Sequence, residues 1–256
     1  MVKPKPALIE FAGWFRGTLL DDPCVRVDAF CEPLVGYCGD FIGLYRPSPT
    51  IMLGVIADAC GHGAEAAALL EAAAKGNVDV PPSGRSPAEL LNAVRWGVAA
   101  TSGVGDGKFI TAMVFSLDVR CGVLTVALAG HPPPLLVRRG EIIARPWSAG
   151  LPIGIDWMIG AEDNVIQLAP GDTVVAFTDG VADARSAGGA PLGFEGAAAA
   201  LARAAASEDP VAATLGSLGS GQRRDWQADD TTAMFIRYGG IGDAMEAGGH
   251  QAWTRL

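Results

Sequence analysis

The order in which strand-like and helix-like segments follow one another limits the folds that this chain can adopt. Period-two alternation and short apolar runs predict strands within residues 25–58, and alanine- and leucine-rich stretches predict two helices after Gly63. A second β-rich block covers residues 109–178, and two further helices and a last strand at Thr231–Tyr238 follow it. Strict alternation of strand and helix, the pattern of a doubly wound parallel sheet, is therefore excluded. We expect helices to lie on the faces of antiparallel sheets.

Turn and capping residues predict where several of these elements begin and end. Ser86 fits the N-cap of the second helix, and Pro87 fits its first helical position. Three β-rich runs, at 109–117, 123–129 and 134–137, are parted by turn residues. Together these three runs predict an antiparallel meander.

The composition of the chain is that of one packed globular domain. Half of the 256 residues are hydrophobic, 18% are charged, and no linker or internal repeat divides the sequence. We assign residues 25–238 to the domain, 1–24 to an N-terminal extension and 239–256 to a loose tail. The first six residues lack the apolar centre of a signal peptide, and no apolar run reaches roughly 18 residues. The sequence therefore predicts a cytoplasmic protein that does not bind membranes.

Charge and cysteine content narrow the classes of partner and site. The formal net charge is -9, and no run of lysines and arginines could follow a phosphate backbone, so we expect no nucleic-acid partner. The number of cysteines is odd and no two are spaced as C-x-x-C, which argues against a disulfide framework and a zinc site. The five cysteines are Cys24, Cys31, Cys38, Cys60 and Cys121.

Acidic residues recur where predicted strands end or in the turns that follow. They are Asp40, Asp58, Asp179 and the neighbouring pair Asp229 and Asp230. Taken singly, each is also explained as a turn or capping residue. Carboxylates beside apolar strands are costly to desolvate unless they gain a partner, and several that converge imply a divalent cation. Ligands that are all oxygen favour magnesium or manganese over zinc.

The three histidines differ in their surroundings. His62 lies between Gly61 and Gly63, which leave it poorly shielded, so it is a candidate catalytic acid or ligand as well as a candidate turn residue. His131 precedes a run of three prolines that fixes the backbone, and we expect a structural hydrogen-bonding role for it. His250 lies in the tail, and we assign it no role.

Together, these segments resemble the metal-dependent protein serine/threonine phosphatases of type 2C, in particular the bacterial SpoIIE-like branch. Gly39-Asp40-Phe41 is similar to the Gly-Gly-Asp-Phe/Tyr element of that branch, and residues 56–63 are similar to its Gly-Asp-Val-Ser-Gly-His-Gly element. Cys38 replaces the first glycine of one element, and Ala59-Cys60 replaces Val-Ser in the other. Further elements follow in family order at 109–112, 128–134, 150–154, 170–181 and 229–232.

The resemblance implies an α+β fold, namely a four-layer α-β-β-α sandwich in which helices flank two central antiparallel sheets. It also implies two cations, Mn²⁺ or Mg²⁺, at one edge of the sandwich. The implied ligands are Asp58 bridging both ions, Asp179 and Asp229 on one ion, the Ala59 carbonyl on the other, and Asp40 through waters. Asp230 is the alternative to Asp229 if the register shifts by one residue.

The implied reaction is hydrolysis of phosphoserine or phosphothreonine on a partner protein, in a bacterial switch or sigma-factor regulatory pathway. A phosphorylated anti-sigma-factor antagonist is the candidate substrate. Asp58 would act through the ions that hold the attacking water, and His62 would protonate the leaving oxygen. Two alternatives stay open: a catalytically silent phosphoprotein-binding module of the same fold, and a hydrolase of small phosphoesters.

Overall fold

The computed structural model describes residues 7–11, 13–75, 84–101, 107–144, 147–156, 160–185, 189–218 and 226–240. Within them, the strands in chain order are β1 (Ala7–Phe11), β2 (Phe15–Asp22), β3 (Val25–Glu32), β4 (Asp40–Arg46), β5 (Ile51–Ala59), β6 (Ile110–Asp118), β7 (Val123–Ala129), β8 (Leu135–Arg138), β9 (Glu141–Ala144), β10 (Asn164–Gln167), β11 (Thr173–Phe177) and β12 (Thr231–Tyr238).

These strands form two antiparallel sheets of six strands each. The first sheet has the order β1-β4-β5-β6-β7-β10, and the second has the order β2-β3-β12-β11-β8-β9. The helices are α1 (Ala64–Lys75), α2 (Pro87–Thr101), α3 (Asp179–Asp183), α4 (Gly193–Ala205) and α5 (Pro210–Leu218).

The predicted start of α2 is confirmed by its capping contacts. The Ser86 hydroxyl accepts a hydrogen bond from the Glu89 backbone N–H at 3.3 Å, and the Glu89 carboxylate accepts one from the Ser86 N–H at 2.8 Å. This reciprocal capping box satisfies two backbone donors that the first helical turn would otherwise leave unpaired.

Three layers of buried side chains hold the sheets and helices together. The middle layer lies between the sheets, and it includes Ile56 and Phe115 from the first sheet and Val174 and Ile236 from the second. On the outer face of the first sheet, α1 and α2 bury side chains against β5, β6 and β7. On the outer face of the second sheet, α3, α4 and α5 pack against β3, β8, β11 and β12. The predicted four-layer α-β-β-α sandwich is therefore confirmed.

The sequence analysis placed the first strand at Val25, and this is wrong because two strands precede it. β1 pairs with β4, and β2 pairs with β3, in both cases at the edge of a sheet. Much of the segment assigned to an N-terminal extension, residues 1–24, therefore contributes strands to the two sheets.

The predicted meander is also wrong. β6 and β7 pair in the first sheet, whereas β8 pairs with β9 and β11 in the second. The chain crosses between the sheets at residues 130–134, where Gly130 has a positive φ of 66° and three prolines follow His131. The local pattern of strands and turns was correct, but it carries no information on which sheet each strand joins.

None of the helices in the described ranges is both long enough and apolar enough to cross a membrane.

Candidate metal centre

One edge of the sandwich gathers the acidic residues that the sequence analysis selected. In the first sheet, β4 begins at Asp40 and β5 ends at Ala59, and Asp40 lies directly opposite Asp58 in the antiparallel pair. In the second sheet, β11 is followed by Thr178 and Asp179, and the neighbouring β12 begins just after Asp230. Since antiparallel neighbours bring the end of one strand beside the start of the next, each sheet delivers its carboxylates at one end.

Asp40 is almost completely buried, and one of its carboxylate oxygens has no hydrogen-bond partner. Oδ2 accepts a hydrogen bond of 2.9 Å from the Thr178 hydroxyl, which links the two sheets. Oδ1 is buried and has no hydrogen-bond partner. The nearby Thr232 hydroxyl lowers the Asp40 pKa, but other effects outweigh it. Burial and repulsion by the Asp58 carboxylate raise that pKa well above its ordinary value of 3.8.

Asp58 is buried among several other negatively charged side chains. Burial raises its pKa first, and repulsion by Asp179, Asp229 and Asp230 adds to the effect, so that the pKa reaches about 8. These three carboxylates lie just beyond the ends of β11 and β12 in the second sheet, whereas Asp58 lies on β5 in the first. The two sheets therefore direct negative charge toward a common space.

Asp179 and Asp229 are two further carboxylates at this edge whose pKa is raised. Asp179 is the first residue of α3, which the sequence analysis did not predict, and burial followed by repulsion from Asp183 raises its pKa. Burial also raises the pKa of Asp229, while the nearby His62 opposes that rise. His62 is exposed, so the structure brings the proposed acid to the rim of the carboxylate cluster.

Asp230 differs from the other four because both of its oxygens are used within the protein. Oδ1 accepts a hydrogen bond from the Leu34 backbone N–H, and Oδ2 accepts one from the Gly39 N–H, both at 2.6 Å. In contrast, the Asp229 carboxylate accepts a hydrogen bond from the N–H of Asp230, its neighbour, at 2.8 Å. The assignment of Asp229, and not Asp230, as the ligand stays a prediction.

The chemistry of these donor atoms fits a divalent cation, but the side chains do not form a ready-made ligand cluster. Its side-chain donors are carboxylate oxygens, the pKa of each of Asp40, Asp58, Asp179 and Asp229 is raised, and Asp40 Oδ1 is left without a partner. Across the described part of the chain, however, no three or more His, Cys, Asp or Glu side chains are arranged to hold a metal ion.

A pocket of about 310 Å³ lies beside this cluster, with Asp179, His131 and Phe194 among its lining residues. His131 is 2% exposed, and its Nδ1 lies 3.0 Å from the Thr111 hydroxyl, which confirms the predicted hydrogen-bonding role. Burial lowers the pKa of His131 to about 3, so the ring is neutral at physiological pH.

The sequence analysis missed the contacts that Thr178 makes and the backbone contacts of the Asp230 carboxylate. Thr178 was read only as the end of a strand, although its hydroxyl bonds Asp40 and also accepts the Thr232 N–H at 3.0 Å. The Leu34 and Gly39 contacts of Asp230 join residues 196 and 191 positions apart, so no local sequence pattern could indicate them.

Comparison with solved structures places this fold among type 2C phosphatase domains. The SiaA-PP2C domain of Pseudomonas aeruginosa is 25% identical, with a TM-score of 0.68 over 83% of this chain and 84% of that one. The RsbU and RsbW domains of Rv1364c from Mycobacterium tuberculosis are 24% identical, with a TM-score of 0.64. That match covers 89% of this chain but only 62% of the other.

A third structure, the catalytic domain of the serine threonine protein phosphatase PstP, was solved in complex with 2 manganese ions. It is 18% identical to this chain, with a TM-score of 0.55 over 84% of this chain and 98% of its own. At this level of identity the likeness concerns the fold alone.

The family model for Stage II sporulation protein E (SpoIIE) matches residues 49–239. This stretch includes Asp58, Asp179 and Asp229, and it extends from just before β5 to the end of β12. The match spans most of the sandwich and both halves of its acidic edge, and on that basis the chain belongs to the SpoIIE family, within the type 2C phosphatase fold.

Proposed function

We propose that this protein is a metal-dependent phosphatase that hydrolyses phosphoserine or phosphothreonine on a partner protein. The observation that carries the proposal is the convergence of carboxylates from two sheets, in which neighbouring negative charge helps raise the Asp58 pKa to about 8. Such an excess of negative charge is costly in a folded protein unless a cation offsets it.

The residues proposed to hold two ions, Mn²⁺ or Mg²⁺, are Asp58, Asp179, Asp229 and the carbonyl of Ala59, with Asp40 acting through water. When bound, such ions lower the pKa of water and neutralise charge on phosphoryl oxygens. Asp58 is opposite Asp40 in the sheet and is repelled by Asp179 and Asp229, so it occupies the centre of the set. This central position supports its proposed bridging role.

His62 is the proposed general acid. It is exposed, lies between two glycines with positive φ, and is near enough to Asp229 to lower the pKa of that carboxylate. A histidine at the rim of the cluster is able to give a proton to the departing serine or threonine oxygen, an effect worth roughly a hundred- to ten-thousand-fold. Asp230 and Thr178 would hold the surrounding backbone and side chains in place.

The substrate proposed is a phosphorylated regulatory protein, and the candidate from the family resemblance is an anti-sigma-factor antagonist. The solved structure of an RsbU domain together with an RsbW domain supports a regulatory setting with protein partners. We propose a cytoplasmic location on the same resemblance.

The alternative is a silent phosphoprotein-binding module of the same fold, which would bind a phosphoprotein without hydrolysing it. Intact aspartates at every proposed position favour the enzyme instead.

The proposal is tested by measuring Mn²⁺- and Mg²⁺-dependent hydrolysis of a phosphoserine protein and of para-nitrophenyl phosphate, with EDTA as the metal-free condition. We expect turnover that EDTA abolishes, and at least a tenfold loss in Asp179→Asn and Asp229→Asn. Asp21→Asn is the matched control, because Asp21 is exposed and pairs with Arg26 at the opposite end of the second sheet. Phosphoprotein binding without metal-dependent turnover would favour the silent module.

A further inference from the structure

The carboxylate of Asp230 holds both ends of the loop that joins β3 to β4. Asp230 is 3% exposed, and its two oxygens accept the N–H groups of Leu34 and Gly39, each at 2.6 Å. Hydrogen bonds to an ionised carboxylate are among the strong ones in proteins. These two bonds fix residues 34 and 39 to the residue that immediately precedes β12.

The tip of the loop between these two bonds is not held by burial of its side chains, whereas Cys38, next to Gly39, is buried beside Cys31. Val35 and Tyr37 are 61% and 65% exposed, and Gly36 between them has a positive φ of 49°. Because the apolar side chains at the tip remain in solvent, the position of the loop depends strongly on the contacts at its ends.

The Gly39 end of this loop is hydrogen-bonded to β5, the strand that carries the proposed ligands Asp58 and Ala59. The Gly39 carbonyl accepts the Ala59 N–H at 2.9 Å, and the next residue, Asp40, begins β4 opposite Asp58. The space around Gly39 is filled, because an added Cβ would lie 2.9 Å from Ala66 Cβ and 3.1 Å from Asp230 Oδ2. A movement of Gly39 would therefore move Asp40 and the peptide of Ala59.

The backbone of Asp230 contacts the other half of the site. A Cβ added to Gly180 would lie 1.9 Å from the Asp230 carbonyl oxygen, so the start of α3 packs directly on this residue. Asp179, a proposed ligand, immediately precedes Gly180. Asp230 thus touches the β3–β4 loop through its side chain and the start of α3 through its backbone.

We propose that Asp230 is a positioning residue that fixes the distance between the ligands of the two sheets, and that it is not itself a ligand. Through the Gly39 peptide it holds Asp40 and Ala59 in place relative to Asp179 and Asp229. The inference rests on the proposed function, since it concerns the affinity of the same site for its ions.

The test compares Asp230→Asn with wild type in two measurements. Asparagine keeps one acceptor oxygen and replaces the other with an NH₂ group that cannot accept an N–H. In the metal-free protein, we expect amide hydrogen exchange in residues 34–39 to quicken at least about tenfold. We expect the Kd for Mn²⁺, measured by calorimetry, to rise about tenfold, or about 1.4 kcal/mol. The number of ions bound should stay the same, and kcat should recover at saturating Mn²⁺.

Two variants separate positioning from ligation and from general stability. Asp229→Asn should reduce the number of bound ions or leave kcat low at saturating Mn²⁺, and it should leave exchange in the loop unchanged. Asp28→Asn also removes a buried carboxylate with two side-chain donors, Thr18 at 2.6 Å and Arg26 at 2.8 Å, but in the middle of β3. It should lower the melting temperature without altering the Mn²⁺ Kd.

Two results would overturn the inference. A drop in the number of ions bound by Asp230→Asn would make Asp230 a ligand, and unchanged exchange in residues 34–39 would show that it does not hold the loop. If Asp230→Asn does not fold, Asp230→Glu keeps both acceptors on a longer side chain and is judged by the same measurements. If the wild type binds no Mn²⁺ or does not hydrolyse phosphoesters, the proposed function fails, while the exchange measurement still decides whether Asp230 holds the loop.

Discussion

Replacing Asp58 with asparagine should stabilise the metal-free protein and at the same time abolish its phosphatase activity. The substitution keeps the size of the side chain and removes its charge. Without metal, that charge is buried and repelled by Asp179, Asp229 and Asp230, which is why the Asp58 pKa rises to about 8. The proposed ions turn the same unfavourable charge into the centre of the ligand set.

The expected size of the effect follows from the pKa shift. A rise from the ordinary value of 3.8 to about 8 corresponds to at most about 6 kcal/mol. Asp58 is partly exposed, so solvent screening reduces this, and we expect about 2 kcal/mol. Between pH 4 and pH 8 the folded chain retains a proton that the unfolded chain has released, so wild-type stability falls as pH rises and levels off above about pH 8.

The assay is thermal melting in EDTA at pH 5 and pH 8, beside phosphatase activity with Mn²⁺. At pH 8 the variant should melt roughly 4–8 °C above wild type, and at pH 5 the difference should shrink. Added Mn²⁺ should raise the melting temperature of wild type more than that of the variant. A variant that is less stable than wild type in EDTA, or that keeps more than about a tenth of the wild-type rate, would refute the reasoning.

Three further predictions concern the proposed general acid His62, the packing around Gly180, and the recognition of the substrate. His62→Ala should slow hydrolysis of phosphoserine more than that of para-nitrophenyl phosphate, whose leaving group hardly needs a proton; equal losses would point to metal positioning instead. Gly180→Ala should lower stability by about 1–3 kcal/mol in chemical denaturation because its Cβ meets the Asp230 carbonyl, whereas Gly216→Ala, with open space around it, should not destabilise α5. The kcat/KM for a folded phosphoprotein should exceed that for its isolated phosphopeptide at least about tenfold, and similar values would indicate that docking contributes little.

Elements with a strong local pattern were predicted to the residue. β7 at Val123–Ala129 and β12 at Thr231–Tyr238 have the predicted bounds, because apolar side chains fill most positions of these strands and turn residues flank them. β2, in contrast, was missed. It lies at the edge of its sheet, its residues alternate between exposed and half-buried along much of its length, and it carries charged residues, as edge strands often do.

The sequence identifies which carboxylates lie at this edge of the sandwich, but it does not show which of them bond to the protein backbone. Asp40, Asp58, Asp179 and Asp229 share a position at strand ends or just beyond them, which the sequence shows directly. Nothing local distinguishes Asp230 from its neighbour Asp229. That difference depends on backbone donors in the β3–β4 loop, which only the folded pairing of β3 with β12 brings within reach.

The acidic residues come from the ends of two different sheets. The side chains packed between these sheets set the distance that separates them. Val174 and Ile236 meet Ile56 and Phe115 in that middle layer, and none of these four is a proposed ligand. Volume in this layer acts as a spacer for the site, since a smaller side chain would let the sheets approach and a larger one would force them apart. Substitutions in this middle layer would then change the metal affinity of the proposed site without altering a carboxylate, and sequence variation in the core would tune that site.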